Sequence, residues 1–130
     1  MTPETLEWVN KAEADWRTLL RESVVVIDSY FDAVCFHAQQ CVEKYFKAKL
    51  VEAGVSFRKS HDLIYLQTLI FAIEPSWTNM SVALSKMNAY AVAARYPGLD
   101  ATKGQAEDAA EHCREIRKLA RFSLGLPANV

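Results

Sequence analysis

The chain has 130 residues, of which 51% are apolar, and only four are glycine and four proline. This length and composition predict one packed globular domain and exclude a disordered chain. Fifteen basic and sixteen acidic residues give a net charge of −1, which argues against an extended duplex-DNA surface. The longest aliphatic run, VVVI at residues 24–27, is too short to span a membrane, and the start MTPETLEW has no signal-peptide pattern. We therefore expect a cytoplasmic protein without membrane contact.

The cysteines and histidines show none of the spacings that hold a metal ion. The sequence has three of each, and it contains no CxxC, HxxxH or HExxH motif. Cys35 and Cys41 are separated by about 240° around one helix, so they cannot form a disulfide with each other. We therefore predict buried, reduced thiols, no metal ion and no other cofactor.

The chain begins with a predicted helix from Pro3 to about Ser23. Thr2 is a suitable N-cap, and proline is favoured at the first helical position. The expected buried face repeats at helical spacing: Leu6, Val9, Ala12, Trp16, Leu19 and Leu20. The β-branched stretch VVVIDS at residues 24–29 has no strand partner elsewhere in the sequence, so we interpret it as a helix end and a turn.

A second helix is predicted from about Ser29 to Ala53, with Gly54 as its C-terminal stop. At about 1.5 Å per residue it would be roughly 35 Å long, which predicts that it forms the centre of the domain. Its segment CFHAQQCVEKYFKAKL, residues 35–50, is apolar over most of its circumference. So wide an apolar surface predicts extra partners, either other helices or a second chain, and we predict a homodimer.

The same helix carries one thin polar strip. The strip contains Gln40, Glu43 and Lys47 and is only about 60° wide, with Phe36 on the same line. Glu43 and Lys47 have the i,i+4 spacing of a helical ion pair. The strip is either the solvated edge of a central helix or part of a polar cleft between helices or subunits. We predict a cleft in which Glu43 pairs with Arg95 through a carboxylate–guanidinium contact.

Two shorter helices are predicted next. Ser60 is the expected cap of the third helix, with Asp62 early in it, and Pro75 ends that region. The fourth helix is predicted from about Trp77 to Ala94. The expected buried residues of the two helices are Leu63, Leu66, Leu69, Ile70 and Ile73 in the third, and Met80, Leu84, Met87 and Ala91 in the fourth.

The last predicted helix follows a break at Pro97 and Gly98 and covers about Lys103 to Ser123, with Thr102 as its cap. Its expected inner face is mostly small: Ala106, Ala109, Ala110, Cys113, Ile116 and Ala120. Its expected outer face is charged: Glu111, Arg114, Glu115, Lys118 and Arg121. The five segments predict an all-α fold, a single up-and-down bundle of about five helices.

Few residues suggest catalysis directly. There is no G-x-S-x-G elbow and no glycine-rich phosphate loop, and the carboxylates are expected on helix exteriors, not as a buried pair. His61, in the predicted first turn of the third helix, is either a cap or loop packer or a general base. Arg95, where the fourth helix stops, either neutralises the helix C-terminus or offers its guanidinium to a phosphate.

The order of three motifs resembles the HEPN family. The motifs are FHAQQCVEKYFKAKL at residues 36–50, SHDL at 60–63 and ARYP at 94–97 before a long final helix, and WVNKAEADWRTLL at 8–20 suits the first helix. The resemblance implies a single helical domain over residues 1–130 that tends to dimerise and associates with nucleotides or RNA. Many family members are ribonucleases in toxin–antitoxin, defence or RNA-processing systems. Small stand-alone members often work beside a minimal nucleotidyltransferase.

The catalytic motif of that family is missing from this sequence. Its catalytic members carry an arginine followed, after four to six residues, by a histidine near the start of the last helix. At the corresponding positions after Arg95 stand Asp100, Ala101 and Thr102, and no other arginine has a histidine at this spacing.

We therefore predict a non-catalytic HEPN module that binds a nucleotide, an RNA segment or a partner nucleotidyltransferase in a toxin–antitoxin-like system. The predicted binding residues are Gln40, Glu43, Lys44, Lys47, Arg95 and Tyr96. Basic side chains would contact phosphate, and the tyrosine would stack on a base. One alternative is a diverged ribonuclease that needs no metal, in which Arg95 stabilises the charge at phosphorus and His61 or His37 is the general base. A further alternative is a dimeric scaffold without a ligand.

Overall fold

The computed structural model describes residues 1–24 and 30–128. Within these ranges the chain forms five α-helices and one short 3₁₀ helix, and it has no strand. The α-helices are α1 (Pro3–Ser23), α2 (Phe31–Glu52), α3 (Leu63–Ile73), α4 (Ser81–Ala93) and α5 (Lys103–Ser123), and the 3₁₀ helix is Pro75–Met80. The predicted all-α fold, a single helical bundle, is confirmed. None of the helices in these ranges is long and apolar enough to cross a membrane.

The first and the last helix, α1 and α5, begin where local capping signals predict. At the start of α1 the Thr2 hydroxyl accepts a hydrogen bond from the Thr5 backbone N–H at 3.1 Å. At the start of α5, Thr102 and Gln105 form a capping box, in which each side chain bonds the other residue's backbone N–H. These caps satisfy N–H groups that the first turn of a helix leaves without partners.

The predicted start of the second helix at Ser29, and all of the VVVIDS stretch beyond Val24, lie outside the described residues. Within the described part α2 begins at Phe31, and it ends at Glu52 just before the predicted end. Gly54 has a φ of +70°, the left-handed conformation that glycine adopts without strain after a helix.

The third helix begins later than predicted. Asp62 has an extended backbone, and its side chain accepts a hydrogen bond from the Ile64 N–H at 2.9 Å, so Asp62 is the N-cap. Ser60 instead accepts a hydrogen bond from the Asp62 N–H at 3.1 Å. The prediction that Ser60 caps this helix is therefore wrong, because a better placed carboxylate caps it. His61 consequently lies in the loop before α3 and not in its first turn.

The start of the fourth helix also differs from the prediction. Residues 77–80 belong to the 3₁₀ helix, in which the Trp77 N–H bonds the Glu74 carbonyl three positions earlier, at 3.0 Å. The tighter winding follows Pro75, and α4 proper begins only at Ser81.

Helix α2 is the centre of the bundle. It packs against α1 and α5 most extensively and against α3 and α4 as well. Between Val34 and Leu50 only Phe36, His37 and Lys44 are not buried. Neighbouring helices of the same chain thus cover its wide apolar circumference, which removes the sequence argument for a second chain on α2. The homodimer itself stays a prediction.

Most predicted core residues are buried, with a few exceptions. Leu6 and Leu20 of α1 are exposed, and Leu69, Ile73 and Ala110 are half-buried. Arg121, predicted on the outer face of α5, is buried. The three cysteines are buried free thiols, and burial raises the pKa of Cys35 to about 11.

Candidate functional site

The polar strip of α2 faces the interior of the bundle. Glu43 is 1% exposed, Lys47 4% and Gln40 8%, and the neighbouring Gln39 is equally buried. The interpretation of the strip as a solvated edge is therefore wrong. The expectation that carboxylates stay on helix exteriors is wrong as well, because Glu43 and Asp15 are both buried.

The Glu43 carboxylate is the centre of a hydrogen-bonded cluster. Lys47 Nζ lies 3.1 Å from Oε2, and the amide nitrogens of Gln40 and Gln39 lie 3.3 Å and 3.5 Å from Oε1. The fourth partner is His61, whose Nδ1 lies 3.1 Å and 3.2 Å from the two oxygens. A buried carboxylate requires such partners, because an unpaired charge in the interior is strongly unfavourable.

Lys47 balances the charge of Glu43 in an aromatic setting. Its Nζ lies 5.2 Å from the ring centroid of Trp8 in α1 and 5.9 Å from that of Phe57 in the loop after α2. Both distances are within the range of a cation–π interaction. The Lys47 ammonium thus contacts the Glu43 carboxylate and lies near two aromatic rings. The ion pair of Glu43 and Lys47 adds no net charge to the interior.

The two adjacent glutamines attach the loop before α3 to α2. Gln39 Nε2 donates to the backbone carbonyl of His61 at 2.6 Å, and Gln40 Nε2 donates to Gln39 Oε1 at 2.7 Å. The backbone of His61 is therefore held as well as its ring. The sequence analysis did not include Gln39 among the candidate residues. Its position next to Gln40 in the motif FHAQQCVEKYFKAKL could have indicated it.

The ring of His61 has a defined orientation. A carboxylate only accepts hydrogen bonds, so Nδ1 must carry a proton when it bonds to Glu43, and this assignment follows from the bonding pattern. In the neutral ring Nε2 then carries the lone pair. The side chain is 62% exposed, so the far side of the ring is open to a ligand.

A cleft of about 340 Å³ opens beside this histidine. We call it the His61 cleft, and its lining is Gln39, Ser60, His61, Asp62, Asn88, Ala91, Val92 and Arg95. It brings together the middle of α2, the loop before α3 and the end of α4. Gln39, the SHDL residues and Arg95 belong to the three quoted motifs, whereas the α4 residues Asn88, Ala91 and Val92 lie outside them.

Arg95 lines the His61 cleft but does not pair with Glu43. Among the described residues Glu43 is bonded to Lys47, His61 and the two glutamines, and no ion pair joins it to Arg95. The predicted Glu43–Arg95 contact is therefore wrong. The reason is that His61 and Lys47 already occupy the carboxylate, while Arg95 is exposed at the rim.

Most of the polar side chains in the cleft offer hydrogen-bond donors. The Asn88 carbonyl oxygen accepts from the Leu63 N–H at 3.2 Å, which leaves the amide nitrogen as the donor of that side chain. Asp62 uses one carboxylate oxygen to cap α3. Arg95 contributes a guanidinium, and His61 its ring. A donor-rich cleft with a guanidinium suits an anion.

The other predicted binding residues lie elsewhere. Lys44 Nζ contacts Asp15 of α1 at 2.5 Å, and His37 Nδ1 contacts the other oxygen of the same carboxylate at 2.7 Å. Tyr96 is exposed in the turn after α4 and does not line the His61 cleft. The structure therefore separates the six predicted residues into the buried Glu43 cluster, Arg95 at the cleft, and two outlying side chains.

A second buried polar network joins α1, α2 and α5. Arg117 holds the Glu13 carboxylate with two contacts, Nη2–Oε1 at 2.7 Å and Nε–Oε2 at 2.8 Å, and Tyr45 donates to Oε2 at 2.5 Å. Arg121 contacts both the Tyr45 hydroxyl and Glu13. Burial by itself raises the pKa of Glu13, but the hydrogen bonds from Arg117 and Tyr45 outweigh it and the pKa is lowered. This network explains why Arg121 is buried.

The fold and the cleft define an all-helical domain whose central helix carries a buried cluster of Gln39, Gln40, Glu43 and Lys47 beside a cleft that Arg95 and His61 line. The HEPN domain family model matches residues 5–122, which extend from the first turn of α1 to the last turn of α5. The chain belongs to the HEPN family. No curated protein and no solved structure is significantly similar to it.

Proposed function

We propose that this HEPN-domain protein binds a phosphate-bearing ligand, a nucleotide or an RNA segment, in the His61 cleft. The observation that carries the proposal is the shared position of Arg95, His61 and Asn88 around one cleft of about 340 Å³. This volume is in the range of small-molecule sites. A guanidinium binds two phosphate oxygens at once, and the imidazole adds a donor at Nε2 when its ring is protonated.

The electrostatics of the cleft support an anionic ligand. The nearest buried anion, Glu43, is already neutralised by Lys47 at 3.1 Å. Asp62 is the acidic residue in the lining, and one of its oxygens is bonded to the start of α3. Arg95 therefore meets the solvent with its charge uncompensated by an ion pair in the described chain. The balanced net charge of −1 fits such a small local site better than a long nucleic-acid track.

Family membership adds two partner proposals. One is a partner nucleotidyltransferase, to which this protein would bind in a toxin–antitoxin-like system. A homodimer would present two clefts in one particle. Of these possibilities the phosphate ligand is supported most directly by the geometry, because its donors are already assembled in one chain.

Two probes test the binding proposal: a nucleoside triphosphate and a fluorescently labelled single-stranded RNA of about ten nucleotides. Calorimetry or anisotropy should detect binding that Arg95→Gln weakens about 10-fold or more, because hydrogen bonds to charged groups contribute roughly 1.5–3 kcal/mol. Arg17→Gln, an exposed arginine on α1 outside the cleft lining, is the matched control and should bind normally. Equal affinities for the two variants, or no binding of either probe, would contradict the proposal.

A further inference from the structure

The protonation state of His61 decides how much positive charge the His61 cleft offers to a ligand. Nδ1 of the ring bonds the buried Glu43 carboxylate at 3.1 Å, and the side chain, which is 62% exposed, lines the cleft together with Arg95. We propose that the binding of a phosphate-bearing ligand in this cleft is coupled to protonation of His61. The ligand then binds more tightly as the pH falls, and the protein takes up a proton when the ligand binds near neutral pH. This regulation rests on the binding function proposed above.

Glu43 determines which nitrogen of the ring gains and loses a proton. A carboxylate only accepts hydrogen bonds, so Nδ1 carries a proton in the neutral ring and in the charged ring alike. The second proton is therefore bound at Nε2, on the far side of the ring from Glu43. An imidazole changes its charge between about pH 5 and 8. The change of charge thus occurs on the side of His61 that is open to a ligand.

The buried cluster holds His61 in place in both forms of the ring. Gln39 Nε2 donates to the His61 backbone carbonyl at 2.6 Å, and Gln40 in turn donates to Gln39 at 2.7 Å. The ring itself is held through Nδ1 by Glu43. The backbone and the ring are therefore both attached to α2. A proton gained at Nε2 changes the charge of the cleft without requiring the loop to move.

The charged groups near the ring come from α2, from the loop before α3 and from the end of α4. On α2, Glu43 and Lys47 form an ion pair at 3.1 Å and cancel each other. The charged residues of the other two segments are Lys59, Asp62 and Arg95. Since the lysine and the aspartate of the loop also have opposite charges, the neutral ring leaves an excess of one positive charge, that of the arginine. Protonation of His61 raises this excess to two.

The two forms of the ring interact differently with a phosphate. The neutral ring presents the lone pair of Nε2, which repels a phosphate oxygen, whereas the protonated ring presents a charged N–H donor. A ligand that prefers the protonated ring must by reciprocity increase its protonation. The affinity should therefore fall about 10-fold or more as the pH rises through the titration range of the imidazole. It should become constant once the ring is neutral.

The test uses a fluorescently labelled single-stranded RNA made of uridylate only, because neither its phosphodiesters nor its bases change charge in this pH range. Anisotropy titrations at constant ionic strength from about pH 5.5 to about pH 8 should show the fall in affinity for the wild-type protein. Calorimetry at about pH 7 in two buffers with different enthalpies of ionisation should detect proton uptake, up to about one proton for each occupied cleft. Both measurements use the unmodified protein.

The variant His61→Gln identifies the group that titrates. Its amide can still donate to Glu43, but it has no charged form. Its affinity should be the same at every pH in the range and close to the wild-type value at about pH 8. Binding to this variant should take up no proton.

Two further variants serve as controls. His37→Gln is the matched control, because His37 also bonds a buried carboxylate through Nδ1, that of Asp15, but lies outside the cleft lining. It should keep the full pH dependence of the wild-type protein. Arg95→Gln should bind more weakly at every pH and still show the fall in affinity, because the arginine keeps its charge throughout the range.

The outcomes separate this inference from the proposed function. Binding with an affinity that does not change with pH would overturn the coupling and leave the binding function intact. A pH dependence that persists in His61→Gln, or that His37→Gln abolishes, would overturn the coupling as well. If the RNA binds at no pH, the proposed binding of RNA fails and the coupling fails with it.

Discussion

His61 Nδ1 lies 3.1 Å and 3.2 Å from the two carboxylate oxygens of Glu43. The two residues are 18 positions apart, and their contact joins the loop before α3 to the middle of the central helix. It also connects a buried charge to an exposed ring. Disturbing the interior cluster should therefore change the cleft.

The first prediction concerns the partners of Glu43 in the folded protein. Glu43→Ala should destabilise the protein by about 3–5 kcal/mol, because it leaves the buried Lys47 ammonium without its anion. A double-mutant cycle between Glu43→Ala and Lys47→Ala should give a coupling energy above about 1 kcal/mol. The cycle between Glu43→Ala and Arg95→Ala should give a value near zero, since no ion pair joins them. Urea unfolding measures all three quantities, and a larger coupling to Arg95 than to Lys47 would falsify this assignment.

The second prediction concerns pH and the Glu13 network. The folded-state pKa of Glu13 lies below its ordinary value of 4.5, because the bonds from Arg117 and Tyr45 outweigh burial. A lowered carboxyl pKa stabilises the fold above the unfolded pKa, and that stability is lost as pH falls through the folded pKa. The free energy of unfolding should therefore drop below about pH 4.5 more steeply for wild type than for Glu13→Gln. Parallel curves for the two proteins would contradict the network's role.

The third prediction concerns salt. When the His61 ring is protonated, the cleft offers two cations, the imidazolium and the Arg95 guanidinium, and it should neutralise about two phosphates of a single-stranded RNA. The slope of log affinity against log salt should then be about −1.4, and Arg95→Gln should reduce its magnitude by about 0.7. Anisotropy titrations over a range of potassium chloride concentrations give the slope. A value several times steeper would indicate an extended track and not the His61 cleft.

The fourth prediction concerns oligomeric state. Val82 of α4 and Leu119 of α5 line one groove, with Lys86 and Glu115 on its walls, and Phe122 lies exposed one turn further along α5. A twofold axis through this groove would bury its apolar residues against the same residues of a second copy. We expect a homodimer in light scattering at micromolar concentration.

Phe122→Glu should convert that dimer to a monomer without loss of helix, because it places a charge in the apolar contact. The exposed Leu6→Glu on α1 is the matched control and should leave the dimer intact. A wild-type mass equal to one chain of 14.7 kDa would refute the prediction.

The starts of helices could be predicted from the sequence where the capping residue and its partner are close along the chain. Thr2 caps α1 through Thr5, and Thr102 caps α5 through Gln105, each three positions away. Such bonds form between neighbours in sequence, so the sequence contains both partners. The start of α3 was not predicted correctly because Ser60 and Asp62 are both suitable cap residues. The backbone conformation of the folded chain makes Asp62 the cap.

The sequence by itself determined the five-helix order, the central position of α2 and the family, because periodicity, capping and motif spacing are properties of the chain. The quoted motifs also contain His61 and Arg95, which line the cleft. Only the tertiary structure decided which charges meet. Glu43 takes His61 instead of Arg95, and Arg117 meets Glu13 across 104 positions. These pairings depend on how the helices pack and on which donors this packing brings within hydrogen-bond distance of a buried carboxylate. The spacing of residues along the chain does not contain that information.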